Sequence, residues 1–177
     1  QKSNQLIEIS PQDFQTVKDL FNILQVPCVT APWEAEKMCA KLCIDGIVDA
    51  VLSEDTDVIA YGAPVFITKI DTSQDTAIVI NNTKVLNELD ITSSQLLDLC
   101  IMCGTDYNTN IYRVGAHTAY KKLLKFKDIE GIQANTSLDV SVLKYNRVRE
   151  LFTIFEDYSI NSIPYCGSPN YDKLLSF

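Results

Sequence analysis

Residues 26–57 read "VPCVTAPWEAEKMCAKLCIDGIVDAVLSEDTD", and the order of patterns in that stretch decides the fold class. "VPCVTA" is a short apolar run rich in β-formers. "PWEAEKMCAKLCIDG" then shows helical spacing through Ala35, Met38, Cys39 and Leu42, and closes on Gly46, the residue type that takes a left-handed stop at least cost. "IVDAVLS" is β-rich again, so residues 26–53 predict a strand-helix-strand crossover, a connection that joins parallel strands. Segments leaving the carboxyl ends of adjacent parallel strands emerge on one edge of the sheet. Glu34 and Glu36 follow the first strand and Asp55 and Asp57 the second, which places four carboxylates on one rim.

On the N-terminal side, Ser10, Pro11 and Asp13 form a cap, a first-turn proline and a first-turn acid. Phe14, Val17, Phe21 and Leu24 then share a helical face, predicting a helix over about 11–24. On the C-terminal side, "APVFITKI" and "DTAIVIN" read as two strands joined by the turn "DTSQ". Thr92 and Gln95 make a capping box for "LLDLCIMCG", a helix apolar nearly all round that stops at Gly104, with Asp106 just beyond. Gly115 opens "AHTAYKKLLKF". A last helix is expected from about 139 to 158 through Val142, Tyr145, Val148, Leu151, Phe152 and Phe155.

The 177 residues carry a net charge of −8, which argues against a general polyanion binder. Yet residues 107–127, "YNTNIYRVGAHTAYKKLLKFK", hold five Lys or Arg and no acid, so the remainder sums to −13 (−8 minus +5). An acidic body thus carries one basic arm. No stretch approaches the ~20 apolar residues of a membrane span and no secretory leader pattern is present, so a soluble, intracellular protein is expected. The start at Gln1 rather than Met points to an excised piece.

Clustered acids repel: at about 4 Å and an effective dielectric near 20, each like-charged pair costs roughly 4 kcal/mol. "SEDTD" needs a reason. As helix caps or solvated charges these acids gain only about 0.3–1 kcal/mol each. Hard cations such as Mg2+ take oxygen ligands, and two ions about 4 Å apart need several carboxylates to offset their charge. In an extended turn Asp55 and Asp57 point the same way. Glu34 and Glu36 diverge by some 200° on an ideal helix, so Glu36 joins them only through first-turn irregularity.

"APWEAE", "LSEDTDVIAYGAPV" and "LLDLCIMCGTDYN", in this order, resemble the flap endonucleases and their XPG-like and exonuclease relatives among the structure-specific 5′ nucleases. The similarity runs from about residue 5 to about 130. It implies a PIN-like α/β core with a mainly parallel sheet flanked by helices in residues 1–104, and a helix-hairpin-helix type DNA-binding region in 105–177. It also implies hydrolysis of DNA phosphodiester bonds at flaps, nicks or junctions during replication or repair. Two Mg2+ ions, with Mn2+ as substitute, would be held by Glu34, Glu36, Asp55, Asp57 and Asp106, the family's catalytic acids. Arg113, Gly115, Lys121, Lys122 and Lys125 match the hairpin that grips DNA, where a K+ ion is also implied. The usual Gly-x-Gly of the flap enzymes reads Arg113-x-Gly115 here, nearer the exonuclease and XPG-like branches. The family's remaining aspartates, a basic residue and a helical arch come from an N-terminal region that precedes the matched part. The chain is therefore expected to be an internal piece of a longer enzyme, weakly active or inactive alone, or completed by a separate chain. A sliding clamp, reached through other segments, and a nuclear location in a eukaryote are implied as well.

Other readings compete with this one. A noncatalytic DNA-junction or partner-docking module keeps the scaffold without the chemistry, and an RNA-directed nuclease shares the sheet topology. Cys39 with Cys43, and Cys100 with Cys103, sit in apolar helical patterns more typical of buried small hydrophobes than of zinc. Tyr107, Tyr112, Tyr120 and Trp33 suit packing better than base stacking as single aromatics. No phosphate-binding glycine loop is present, and the lone His117 leaves no Ser/His/Asp triad to build.

Overall fold

The computed structural model describes residues 9–155 and 160–177. Within them the chain forms two compact units, residues 9–30 with 160–177 and residues 31–155. Among the described residues, no helix is long and apolar enough to cross a membrane.

The first unit is built on α1 (Pro11–Ile23), capped as its sequence requires. The Ser10 amide donates to the Asp13 carboxylate at 2.7 Å, and the Asp13 amide donates back to the Ser10 hydroxyl. A short α9 (Tyr171–Leu175) takes its cap from Asn170, whose side chain accepts from the Lys173 amide. The Gly167 and Asn170 amides donate to the carbonyls of Gln25 and Ile23, tying the tail to the end of α1. "VPCVTA" is not a strand. It pairs with no strand among the described residues, Pro27 has no N–H for a ladder, and Val26, Cys28 and Val29 are exposed. An apolar run marks a strand only where a partner strand meets it, so the crossover expected over 26–53 is absent.

The second unit holds a three-stranded sheet in the order β1 (Val51–Leu52), β2 (Val65–Asp71), β3 (Thr76–Asn81). β1 runs parallel to β2, and β2 antiparallel to β3, so the fold is α/β with a small mixed sheet rather than a mainly parallel one. α2 (Ala35–Ile44) ends at Gly46 with φ +70°, as expected, and buries Met38, Ala40, Leu42 and Cys43 while Cys39 faces out. α3 (Asp57–Ala60) follows β1, α4 (Asn82–Leu89) follows β3, and α5 (Ser93–Cys103) carries the Thr92–Gln95 capping box.

Beyond Gly104 come α6 (Ala116–Phe126), α7 (Ile129–Asn135), a 3-10 turn (Ser141–Leu143) and α8 (Tyr145–Thr153). One core cluster runs from Val51 and Phe66 through Ile101 and Met102 to Leu123, Ile132, Leu143 and Phe152. The helix expected over 139–158 is thus much shorter, and residues 156–158 lie outside the described residues. Its start is delayed because Asp139 accepts from the Ser141 amide and Lys144 adopts φ +48°, a left-handed break that the apolar spacing does not show.

Candidate metal centre

Glu34 occupies the N-cap position of α2, and its carboxylate caps no amide. Glu36 follows in the first turn, half-buried. The "SEDTD" segment is a turn rather than an extended stretch. The Asp55 amide donates to the Ser53 hydroxyl at 3.0 Å, and the Asp57 amide donates to Asp55 Oδ1 at 2.9 Å. One oxygen of Asp55 is therefore engaged in starting α3, whose first residue is Asp57.

Asp106 lies in a third segment. Thr105 and Asn108 exchange backbone hydrogen bonds at 3.2 Å each, and the Asn108 amide group donates to the Ile101 carbonyl at 2.8 Å, welding this turn to the end of α5. Asp106 projects into solvent from its tip.

The five acids share one electrostatic field. Burial first, then the negative charges of Asp55, Asp106, Glu36 and Glu34, push the Asp57 carboxyl up to about 6. Among the described residues, no three His, Cys, Asp or Glu side chains stand close enough together to grip one ion. The acids form a common field rather than a finished coordination shell.

Positive charge is arranged separately. Gly115 caps α6 without a side chain, leaving the Ala116 and His117 amides of the first turn open. His117, Lys121, Lys122 and Lys125 line an open groove of about 530 Å3, closed on its other side by Asn135 and Thr136. Arg113 is exposed with φ +61°, a left-handed conformation that favours glycine, and its guanidinium lies 5.1 Å from the Tyr112 ring.

Two features escaped the sequence reading. Asp98, the one buried charged residue described, receives Arg149 Nε and Nη2 at 2.7 Å, while the same guanidinium forks onto Glu130 at 2.6 and 2.9 Å. A single acid inside "LLDLCIM" was the available signal. The second is a pair of tyrosine hydroxyls, Tyr61 and Tyr107, 2.9 Å apart beneath the acids. Tyr120 is a packing residue, its hydroxyl donating to the Leu89 carbonyl at 2.7 Å.

Residues 25–106, which hold all five acids, match the family described as the XPG I-region. Flap endonuclease 1 of Cryptosporidium parvum (strain Iowa II) is 32% identical over 197 residues, covering 99% of this chain and 40% of that protein. The chain belongs to the flap endonuclease and XPG-like nuclease family. It spans about two fifths of the length of the curated relatives it matches. Solved members share the fold. The catalytic core of Rad2 in complex with a DNA substrate superposes with TM-score 0.82 at 18% identity, covering 96% of this chain and 62% of that one. Flap endonuclease-1 from Methanococcus jannaschii gives 0.80 at 24% identity, covering 98% and 53%.

Proposed function

We propose that this chain carries the carboxylate face and the DNA-gripping hairpin of a structure-specific 5′ nuclease that hydrolyses DNA phosphodiester bonds at flaps, nicks or junctions. The observation that carries the proposal is the elevation of Asp57 by Asp55, Asp106, Glu36 and Glu34, acids drawn from three separate segments of chain. Their donors are all oxygens, which suits a hard divalent ion such as Mg2+.

Glu34, Glu36, Asp55, Asp57 and Asp106 would hold two Mg2+ ions, with Mn2+ as a substitute. Held by those carboxylates, such ions would supply water activation and charge stabilisation for phosphodiester hydrolysis. Asp57 must lose its proton to ligate, so metal uptake strengthens as pH rises through about 6. The residues up to Gly104, and Asp106 just past it, serve the chemistry. Those beyond it hold the duplex: the open amides at the start of α6 take phosphate oxygens, and Arg113, Lys121, Lys122 and Lys125 add affinity through counterion release.

The test is Asp57→Ala in the full-length protein, with cleavage of a flap substrate and DNA affinity measured side by side. Cleavage is lost while affinity stays nearly unchanged; lost affinity with retained turnover contradicts the assignment. Calorimetry with no Mg2+ or Mn2+ heat beyond dilution would mark a noncatalytic DNA-binding module instead.

A further inference from the structure

α8 touches every segment that bears one of the acids. Lys37, next to Glu36, donates to the Leu151 carbonyl at 2.7 Å and lies 5.5 Å from the Phe155 ring centroid. Tyr61 closes the helix that Asp57 begins, and its ring packs against Phe152 with centroids 4.6 Å apart. Tyr107, next to Asp106, meets the same Phe152 edge-on at 5.5 Å. Phe152 is 1% exposed. Arg149, one turn before it, ties α8 to Asp98 of α5. A single buried ring therefore stands behind both the Asp57 helix and the Asp106 turn, and the hydroxyl bond between Tyr61 and Tyr107 joins those two segments directly.

We propose that Tyr61 and Tyr107, clamped together on Phe152, are positioning residues that fix the separation between the Asp57 helix and the Asp106 turn for metal binding. The proposal rests on the metal-centre reading above. Among the described residues no hydrogen bond links either phenol to a carboxylate, so the pair acts through the spacing of the two segments. Both phenols are raised above their ordinary range, mainly by burial, and the charges of Glu34 and Asp57 contribute to each. Raised phenols stay protonated at neutral pH, so the bond between them persists there. Groups that orient metal ligands from behind set affinity nearly as strongly as the ligands do.

Calorimetric titration of the chain with Mn2+ alone, alongside thermal melting, tests this. Tyr61→Phe and Tyr107→Phe each weaken Mn2+ binding about tenfold, and the double variant loses little more, because each single change already breaks the shared bond. Tyr120→Phe deletes a comparable half-buried hydroxyl bond elsewhere. It lowers the melting temperature similarly but leaves Mn2+ affinity within about twofold of wild type. Tyrosine variants that melt lower yet bind Mn2+ as tightly as wild type overturn the proposal, leaving the pair a packing contact. A wild-type chain that takes up no Mn2+ overturns the metal-centre reading itself, and this inference with it.

Discussion

Asp98 and Asp57 sit in the same unit, and their surroundings are opposite. Asp98 is 3% exposed and receives two charge-assisted bonds from Arg149, a guanidinium it shares with Glu130. Asp57 is half-buried, its carboxylate accepts no hydrogen bond among the described residues, and it has four acids for neighbours. The bonds to Glu130 and Asp98 hold Arg149 more firmly protonated than usual, and the Arg149 bond holds Glu130 below the usual carboxylate range. At Asp57 both burial and neighbouring charge push the other way. The first arrangement stabilises the fold and the second opposes it, which is why the second points to a ligand rather than to architecture.

Breaking the paired side gives the largest effect. Arg149→Ala strands Asp98 without a countercharge and is expected to cost about 3–5 kcal/mol in urea unfolding. A loss under about 1 kcal/mol would mean that water reaches Asp98 freely, and the contrast would fail.

Relieving the unpaired side acts in the opposite direction. Asp57's folded value lies above its unfolded value, so the folded state holds more protons between about pH 4 and 6, and stability falls as pH rises through that window. Asp57→Asn removes this penalty. In chelator-treated buffer at pH 7 it is expected to stabilise the chain by about 1 kcal/mol, after discounting for solvent screening at a half-exposed group. The gain should vanish near pH 4. Equal stability of the two proteins at both pH values would show that the acids do not strain the fold.

The exposed arm of the paired side gives the smallest effect. Glu130 is 48% exposed, and Glu130→Gln is expected to cost about 0.5 kcal/mol. Because its folded value is lowered, this contribution is present above the unfolded value and disappears as pH falls. The Asp57 and Glu130 variants therefore bend the pH profile in opposite senses.

These contrasts also separate what sequence could reveal from what it could not. Caps are local, so Ser10 with Asp13, Thr92 with Gln95, and the stops at Gly46 and Gly104 all appear where short patterns place them. The basic arm is equally local, because Lys121, Lys122 and Lys125 lie on the single helix α6. Strand status of "VPCVTA" depends on a neighbour that spacing cannot supply. Lys144 breaks a good apolar period through backbone conformation alone. Arg149 finds Asp98 across 51 residues, a pairing with no local trace. The acids were legible as a set, whereas the phenols and Phe152 behind them required three dimensions.

The most direct measurement is an amide NMR spectrum of the chain titrated with substoichiometric Mn2+. Gathered acids require the signals of Glu34, Glu36, Asp55, Asp57 and Asp106 to broaden together, ahead of those of α6. Broadening confined to one segment, or spread evenly over other surface acids such as Glu88 and Asp128, would contradict a shared centre.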